Sequence, residues 1–353
     1  MTAQAQPTAV PRAIADGTVV VAGSINIDQR VTAARLPRPG ETLIGTSASL
    51  APGGKGANQA VAAARRGAPT VMVGAVGDDG READAVGVMA EAGVDLGRVT
   101  TVSGPTGLAL VSVGEDDAEN TIIVVPGANG LVDATAIEAH ADVVEAAAVL
   151  VLQGEIPVDG IDRAAALARG RVLLNLAPVC AVADETLRRA DPLVVNEHEA
   201  LVLLDQLAAG AADDGGGAGG ESAAREVPAG RSDAALAQAL RSAGARSIVL
   251  TLGAGGAVVA EGARLVHVAS PRVDAVDTSG AGDAFVGSLA ASLAAGSSLI
   301  DAVRLAVRVG AFAVTRQGTQ SSSPMSDDVL PGGDEAVTEL DAGATEDAEA
   351  SRR

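Results

Sequence analysis

The chain has 353 residues, of which 48% are hydrophobic but only 1% aromatic, with neither Trp nor Tyr. Its core must therefore be built from Ala, Val and Leu, and binding single-stranded nucleic acid by stacking bases on aromatic rings is disfavoured. The formal charge of −20 argues the same way, because a phosphate backbone is bound through Lys and Arg.

Residues 1–17 lack a basic region followed by an apolar one and read as a flexible leader. Val19-Val20-Val21-Ala22, closed by Gly23, is the first buried strand. Further apolar runs predict strands at 70–73, 149–152, 172–174, 193–195 and 248–250. Ala/Leu-rich segments predict helices at 57–66, 134–147, 159–168 and 233–243. This alternation implies an α/β domain over 18–325, with a mainly parallel sheet covered on both faces. Two regions break the rhythm. Residues 107–125 alternate around the polar turn Gly114-Glu115-Asp116-Asp117, which predicts an antiparallel hairpin. Together with 30–48, the region 104–126 would form a small β lid. Residues 208–231 read as a disordered Gly-rich insertion. Gly215, Gly217 and Gly220 satisfy GxGxxG there, but no strand leads in and no helix pattern follows promptly, so a dinucleotide site is rejected. Residues 326–353 form an acidic, solvated tail.

The lone Cys180 cannot form an internal disulfide, and no stretch approaches the length of a membrane span. A soluble, cytoplasmic protein is expected, with neither a membrane nor a nucleic acid as partner.

Asp277-Thr278-Ser279-Gly280-Ala281-Gly282-Asp283 precedes a buried helix pattern. Small residues opening a helix bare backbone N–H groups at the positive end of a dipole, a site for phosphate. An acid beside such a site suits a base that deprotonates a hydroxyl attacking a phosphoryl group. Gly53-Gly54-Lys55-Gly56-Ala57-Asn58-Gln59 lacks the P-loop spacing but lets a small ligand approach the backbone closely, with Asn58 offering both donor and acceptor. Gly23-Ser24-Ile25-Asn26-Ile27-Asp28 lies at the carboxyl end of the first strand, where ligands bind in open α/β sheets. A carboxylate there can take two adjacent sugar hydroxyls.

With these segments in this order, and with Leu152-Gln153-Gly154-Glu155, Leu174-Asn175-Leu176-Ala177-Pro178 and Asn196-Glu197-His198-Glu199, the chain resembles the ribokinase-like carbohydrate kinase family from about Val19 to about Pro324. The resemblance implies a three-layer fold with a β lid. It also implies ATP-dependent phosphorylation of D-ribose at its 5-hydroxyl, with ribose and ATP as small-molecule partners. By it, Asn26, Asp28, Gly54, Asn58 and Glu155 hold the sugar, with Lys55 a further candidate. Asp283 is the base, and the amides of Ser279, Gly280, Ala281 and Gly282 form the anion hole. Asn196 and Glu199, sharing a helix face, order the waters of Mg²⁺. Thr251, Leu252, Gly253, Ala254, Gly255 and Gly256 resemble the nucleotide loop, completed by Asn196, Gly282 and Asp283. Val307 departs from the family pattern near the adenine. Asp277, Ser279, Ala313, Arg316, Gly318 and Ser322 match a K⁺ loop. A homodimer paired through the lid is expected. The rivals are another sugar or nucleoside kinase of this fold and a non-catalytic sugar-binding regulator, against which intact Asp283 speaks.

Overall fold

The computed structural model describes residues 14–114, 120–213, 232–333 and 335–340. In chain order, β1 (Val19–Ala22) leads into β2 (Asn26–Ala33) and β3 (Ser47–Gly53). These are followed by α1 (Lys55–Arg65), β4 (Thr70–Gly77), α2 (Glu82–Glu91), β5 (Asp95–Val102), β6 (Gly107–Gly114) and β7 (Asn120–Val125). Next come α3 (Ala134–Glu138), α4 (Ala141–Ala146), β8 (Val149–Gln153), α5 (Val158–Leu167), β9 (Arg171–Asn175), α6 (Asp184–Arg189), β10 (Ala190–Asn196) and α7 (Glu197–Asp213). The last elements are α8 (Asp233–Ser242), β11 (Ser247–Thr251), β12 (Ala257–Glu261), β13 (Arg264–Val268), α9 (Ala281–Ala294), α10 (Leu299–Ala313) and β14 (Val337–Glu339).

The large sheet has the order β14-β13-β12-β11-β10-β9-β8-β1-β4-β5. It is parallel from β11 to β5, and β12, β13 and β14 join antiparallel. Side chains alternate across a strand, so Val19 and Val21 enter one core while Val20 and Ala22 enter the other. Helices α1, α2, α9 and α10 cover the first face, and α3, α4, α5, α7 and α8 cover the second. With Phe285 its single buried aromatic, the first core packs by close approach. A Cβ on Gly287 of α9 would lie 2.3 Å from the Gln59 carbonyl and 2.5 Å from Ala62 Cβ, so glycine there lets α9 lie directly on α1.

The lid is a second sheet, β3-β2-β6-β7. Its strands begin earlier and end later than the sequence predicts: β2 starts at Asn26 and β3 runs to Gly53, while 34–46 lie outside both strands. The hairpin β6–β7 is as predicted, and its turn at 115–119 lies outside the described residues. The predicted helix at 134–147 is two helices, parted at His140, with Asp133 capping the first through the Ala136 amide. Helix α7 runs to Asp213, so the Gly-rich insertion is helical at its start, and 214–231 lie outside the described residues.

Both ends of the expected domain are extended. Of the predicted leader, Ile14 packs on the core. The tail is docked as far as Leu340: Leu330 is buried, Glu335 pairs with Arg308 at 3.6 Å, and β14 pairs with β13. Residues 1–13 and 341–353 lie outside the described residues. Among the described residues, no helix is long and apolar enough to cross a membrane.

Candidate active site

After β7 the chain returns to β8, on the opposite side of β1 from β4, which makes a topological switch point. Register places Leu152 beside Ala22, Asn175 beside Gln153, and Thr251 beside Asn196, so the polar ends of apolar strands share one sheet edge. A cleft of about 690 Å³ opens there between sheet edge and lid. Its walls include Asn26, Asp28, Gly54, Lys55, Asn58, Glu155, Asp277, Ser279, Gly280 and Asp283.

Asp283 is buried in the first turn of α9, and both its oxygens are held by α1. Asn58 Nδ2 donates to Oδ2 at 2.9 Å, and Gln59 Nε2 donates to Oδ1 at 2.9 Å. Gln59 also donates to Asn175 Oδ1 (2.9 Å) and accepts from Gln153 Nε2 (2.8 Å), so a buried amide chain from β8 and β9 fixes the carboxylate. The Lys55 ammonium is held above its ordinary pKa chiefly by Asp283, against the cost of burial, with Glu155 and Glu199 adding to the attraction.

In the cleft wall nearest the lid, Asn26 and Asp28 do not end β1: they stand on lid strand β2. Asn129, in the turn after β7, bonds the Ile25 backbone and donates to Asn26 Oδ1 at 2.7 Å, fixing where the lid leaves the body. Glu155 Oε2 accepts from Ser24 Oγ at 2.6 Å and from the Lys55 amide at 3.1 Å. Burial, and then the charges of Glu155 and Asp283, push the Asp28 carboxyl from 3.8 to about 7. Asp28 Oδ1 and Asn58 Oδ1 are buried acceptors without a partner among the described residues. Buried polar atoms are normally satisfied, so two orphan acceptors lining one cleft mark a place for a ligand's hydroxyl donors.

The anion loop is narrower than the sequence implies. Ser279 N donates to Asp277 Oδ1 (3.0 Å) and Ala281 N to the Thr278 carbonyl (3.3 Å). Two of the four expected amides are thus spent within the loop, and those of Gly280 and Gly282 have no acceptor among the described residues. Gly280 has φ +73°, and a Cβ there would lie 2.8 Å from Thr319 Cα, so the turn needs glycine. Asp277 also accepts from Gly318 N at 3.1 Å. Burial raises its carboxyl, but the Ser279 and Gly318 donors and Arg30 outweigh this and leave it below the ordinary value. In the expected cation loop, Asp277 and Gly318 meet directly, whereas the Ala313 carbonyl accepts from Arg316 N and the Arg316 guanidinium stacks on Phe312, 3.5 Å from the ring centre. Ser322 is buried, its hydroxyl donating to the Thr319 carbonyl.

Asn196 and Glu199 do not project side by side from a helix. Asn196 ends β10 and caps α7: its Oδ1 accepts from Glu199 N, and Glu199 Oε2 accepts from Asn196 N, both at 2.8 Å. This is a capping box, built by Asn and Glu three residues apart. Burial raises the Glu199 carboxyl above its ordinary value, partly offset by the Asn196 amide and Lys55. Among the described residues no group of three or more His, Cys, Asp or Glu side chains could cage a metal. One carboxylate beside one amide suits a Mg²⁺ that keeps its waters. The 251–256 loop follows β11 as predicted but turns tightly, with Leu252, Gly255 and Gly256 amides bonded within it, and does not line the cleft. Val307 is buried in the aliphatic core, a packing position rather than a polar contact.

Sequence reasoning omitted Gln59, Gln153, Asn175, Asn129 and Arg30 as site residues. The available signal was a Gln or Asn closing an otherwise apolar strand, as in Val149–Gln153 and Arg171–Asn175, because such a residue is buried only with a partner.

The profile of the pfkB family carbohydrate kinases matches residues 16–326. The chain is 32% identical over 317 residues to a ribokinase of Haemophilus influenzae, covering 89% of this chain and 97% of that protein. It is 34% identical over 319 residues to a ribokinase of Schizosaccharomyces pombe, covering 87% and 94%. Arabidopsis thaliana ribokinase, solved with ribose and ATP, superposes with a TM-score of 0.72 at 28% identity, covering 87% of this chain and 96% of that one. A buried acid at the head of a glycine-turned helix, a lidded polar cleft at a sheet switch point and a sequence match along nearly the whole domain agree: the chain belongs to the pfkB family of carbohydrate kinases.

Proposed function

We propose that the chain transfers the γ-phosphoryl group of ATP to the 5-hydroxyl of D-ribose, giving ribose 5-phosphate and ADP. The observation that carries this reading is the pairing of Asp283, tethered at both oxygens, with the orphan acceptors Asp28 Oδ1 and Asn58 Oδ1 in one cleft. The relatives named ribokinase support the choice of sugar.

In this reading Asn26, Asp28, Asn58 and Glu155 take the non-reacting hydroxyls and aim the primary hydroxyl at Asp283, which accepts its proton. Charge on the transferring group falls to the Gly280 and Gly282 amides at the positive end of α9 and to Lys55. Because the phosphoryl transition state is loose, positioning and charge stabilisation supply most of the acceleration, while proton removal adds about 10²–10⁴-fold. Asn196 and Glu199 would hold the waters of Mg²⁺, which neutralises the nucleotide phosphates when bound. Asp277 and Gly318 would anchor a K⁺ loop. The 251–256 loop, beside Asn196, would receive the nucleoside. The half-buried lone Cys180, its thiol raised by burial and by Asp162 to about 11, fits a reducing cytoplasm.

The test is coupled ADP release with ribose, deoxyribose, fructose and adenosine, with and without Mg²⁺ and K⁺. Ribose should give the highest kcat/KM. Asp283→Asn should lower turnover by about 10²-fold or more with ribose affinity nearly kept. Unchanged turnover removes Asp283 from the mechanism, and a preference for adenosine refutes the substrate.

A further inference from the structure

Side chains at every second position of a strand share a face, so Asn26, Asp28 and Arg30 of β2 all line the cleft. Arg30 lies on the same cross-strand row as Ser49, Val111 and Ile122, one pair of residues further out than the row carrying Asp28. From there its NH1 reaches across the cleft mouth to Asp277 Oδ2 at 3.4 Å. The two residues are 247 positions apart, one on the lid and the other on the body.

Asp277 is well placed to receive it. Its side chain is only 10% exposed, and the body already holds it through the Ser279 and Gly318 amides. The Ser279 amide belongs to the turn that presents Gly280 and Gly282. Asp28, Glu155 and Asp283 also line this cleft, yet the guanidinium pairs with the acid that stands at the entrance to the anion loop.

We propose that Arg30 is a positioning residue: by pairing with Asp277 it holds β2, and with it Asn26 and Asp28, at a fixed distance from the anion loop. The substrate side of this proposal rests on the sugar-kinase reading above. A contact that secures the sugar-binding strand equally in ground and transition state acts on KM more than on kcat. For a pair with one partly exposed member the effect is modest, about a two- to fivefold rise in ribose KM for Arg30→Met. Arg30→Lys, which keeps the charge, should recover most of it.

A double-mutant cycle separates this from a merely structural role. In the Asp277→Asn background, Arg30→Met should change ribose KM by less than about 1.5-fold, because its partner is already gone. The same two- to fivefold factor in both backgrounds, or no rise in KM, overturns the proposal. Amide hydrogen exchange of the ligand-free protein gives a reading that does not depend on the substrate. Arg30→Met should speed exchange in β2 and β3 and leave β8 and β9 unchanged, and unaltered lid exchange would also overturn the proposal. A parent protein that does not turn over ribose would defeat the substrate reading alone, and the exchange result would then decide the role of Arg30.

Discussion

Replacing Gln59 with Leu tests whether the buried amide chain serves the chemistry or only the fold. The Gln59 side chain is fully buried in α1 and makes three hydrogen bonds, to Asp283, Asn175 and Gln153. Leucine is close in volume, so the change removes bonds rather than packing. A buried polar group left unsatisfied costs about 1–3 kcal/mol. Asn175 still donates to the Val194 carbonyl and Asp283 still accepts from Asn58, so the low end applies to these two, whereas the Gln153 amide keeps no other side-chain bond among the described residues and takes the full range. The loss should be about 3–5 kcal/mol, a large part of the ~5–15 kcal/mol typical of a folded domain, read as a shifted urea midpoint at unchanged slope. Losing one of its two tethers lets the Asp283 carboxylate swing. We expect kcat to fall about tenfold or more, while ribose KM moves less than about twofold, since Gln59 does not line the cleft. Lost stability with unchanged kcat would show that Asn58 alone orients the acid. Unchanged stability would refute the buried-network argument itself.

The Asp28 carboxyl gives a pH test with a definite sign. The folded protein holds its proton more tightly than the unfolded chain, so ionising it costs stability from about pH 3.8 upward, a cost complete above about 7. Asp28→Asn should therefore gain stability relative to the parent across that window, and ribose KM of the parent should fall as the ionised acceptor appears near pH 7. Parallel stability curves would count against the burial argument. On the lid, register places Leu50, Gln29, Leu110 and Ile123 in one row on the face opposite Asp28, and Leu50 and Ile123 are 60% and 59% exposed. A second copy would cover such a face. Sedimentation should give a dimer that Ile123→Lys converts to monomer, and a monomeric parent would refute the pairing.

The alternation of apolar strands and Ala-rich helices was legible because each parallel strand is buried on both faces and so reads as an unbroken run. The position of Asp283 was legible for a similar reason: an acid among small residues at a helix start, ahead of an apolar run, falls in the first turn of a buried helix. What escaped were residues whose meaning depends on a distant partner. Asn26 and Asp28 read as the carboxyl end of the first strand because nothing local tells that the chain enters a second sheet. Asn196 and Glu199 meet not on one helix face but across the start of α7, where their spacing serves a cap. Gln59 was hidden within a helix pattern, its partners supplied by α9, β8 and β9. In the tail, acidic composition outweighed the short runs that become Leu330 in the core and β14 on the sheet.

Strand β14, the edge strand of the ten-stranded sheet at that end, covers what would otherwise be the open side of β13. A chain shortened to the family boundary at 326 would keep every candidate catalytic residue and still be a different solute. The backbone of β13 would offer its unpaired N–H and C=O groups to any passing strand, the arrangement through which soluble sheets associate edge to edge, and Leu330 would no longer cover Val309 and Phe312. The segment beyond the family boundary acts as a guard on solubility, and its loss would be seen first as aggregation rather than as a failure of catalysis.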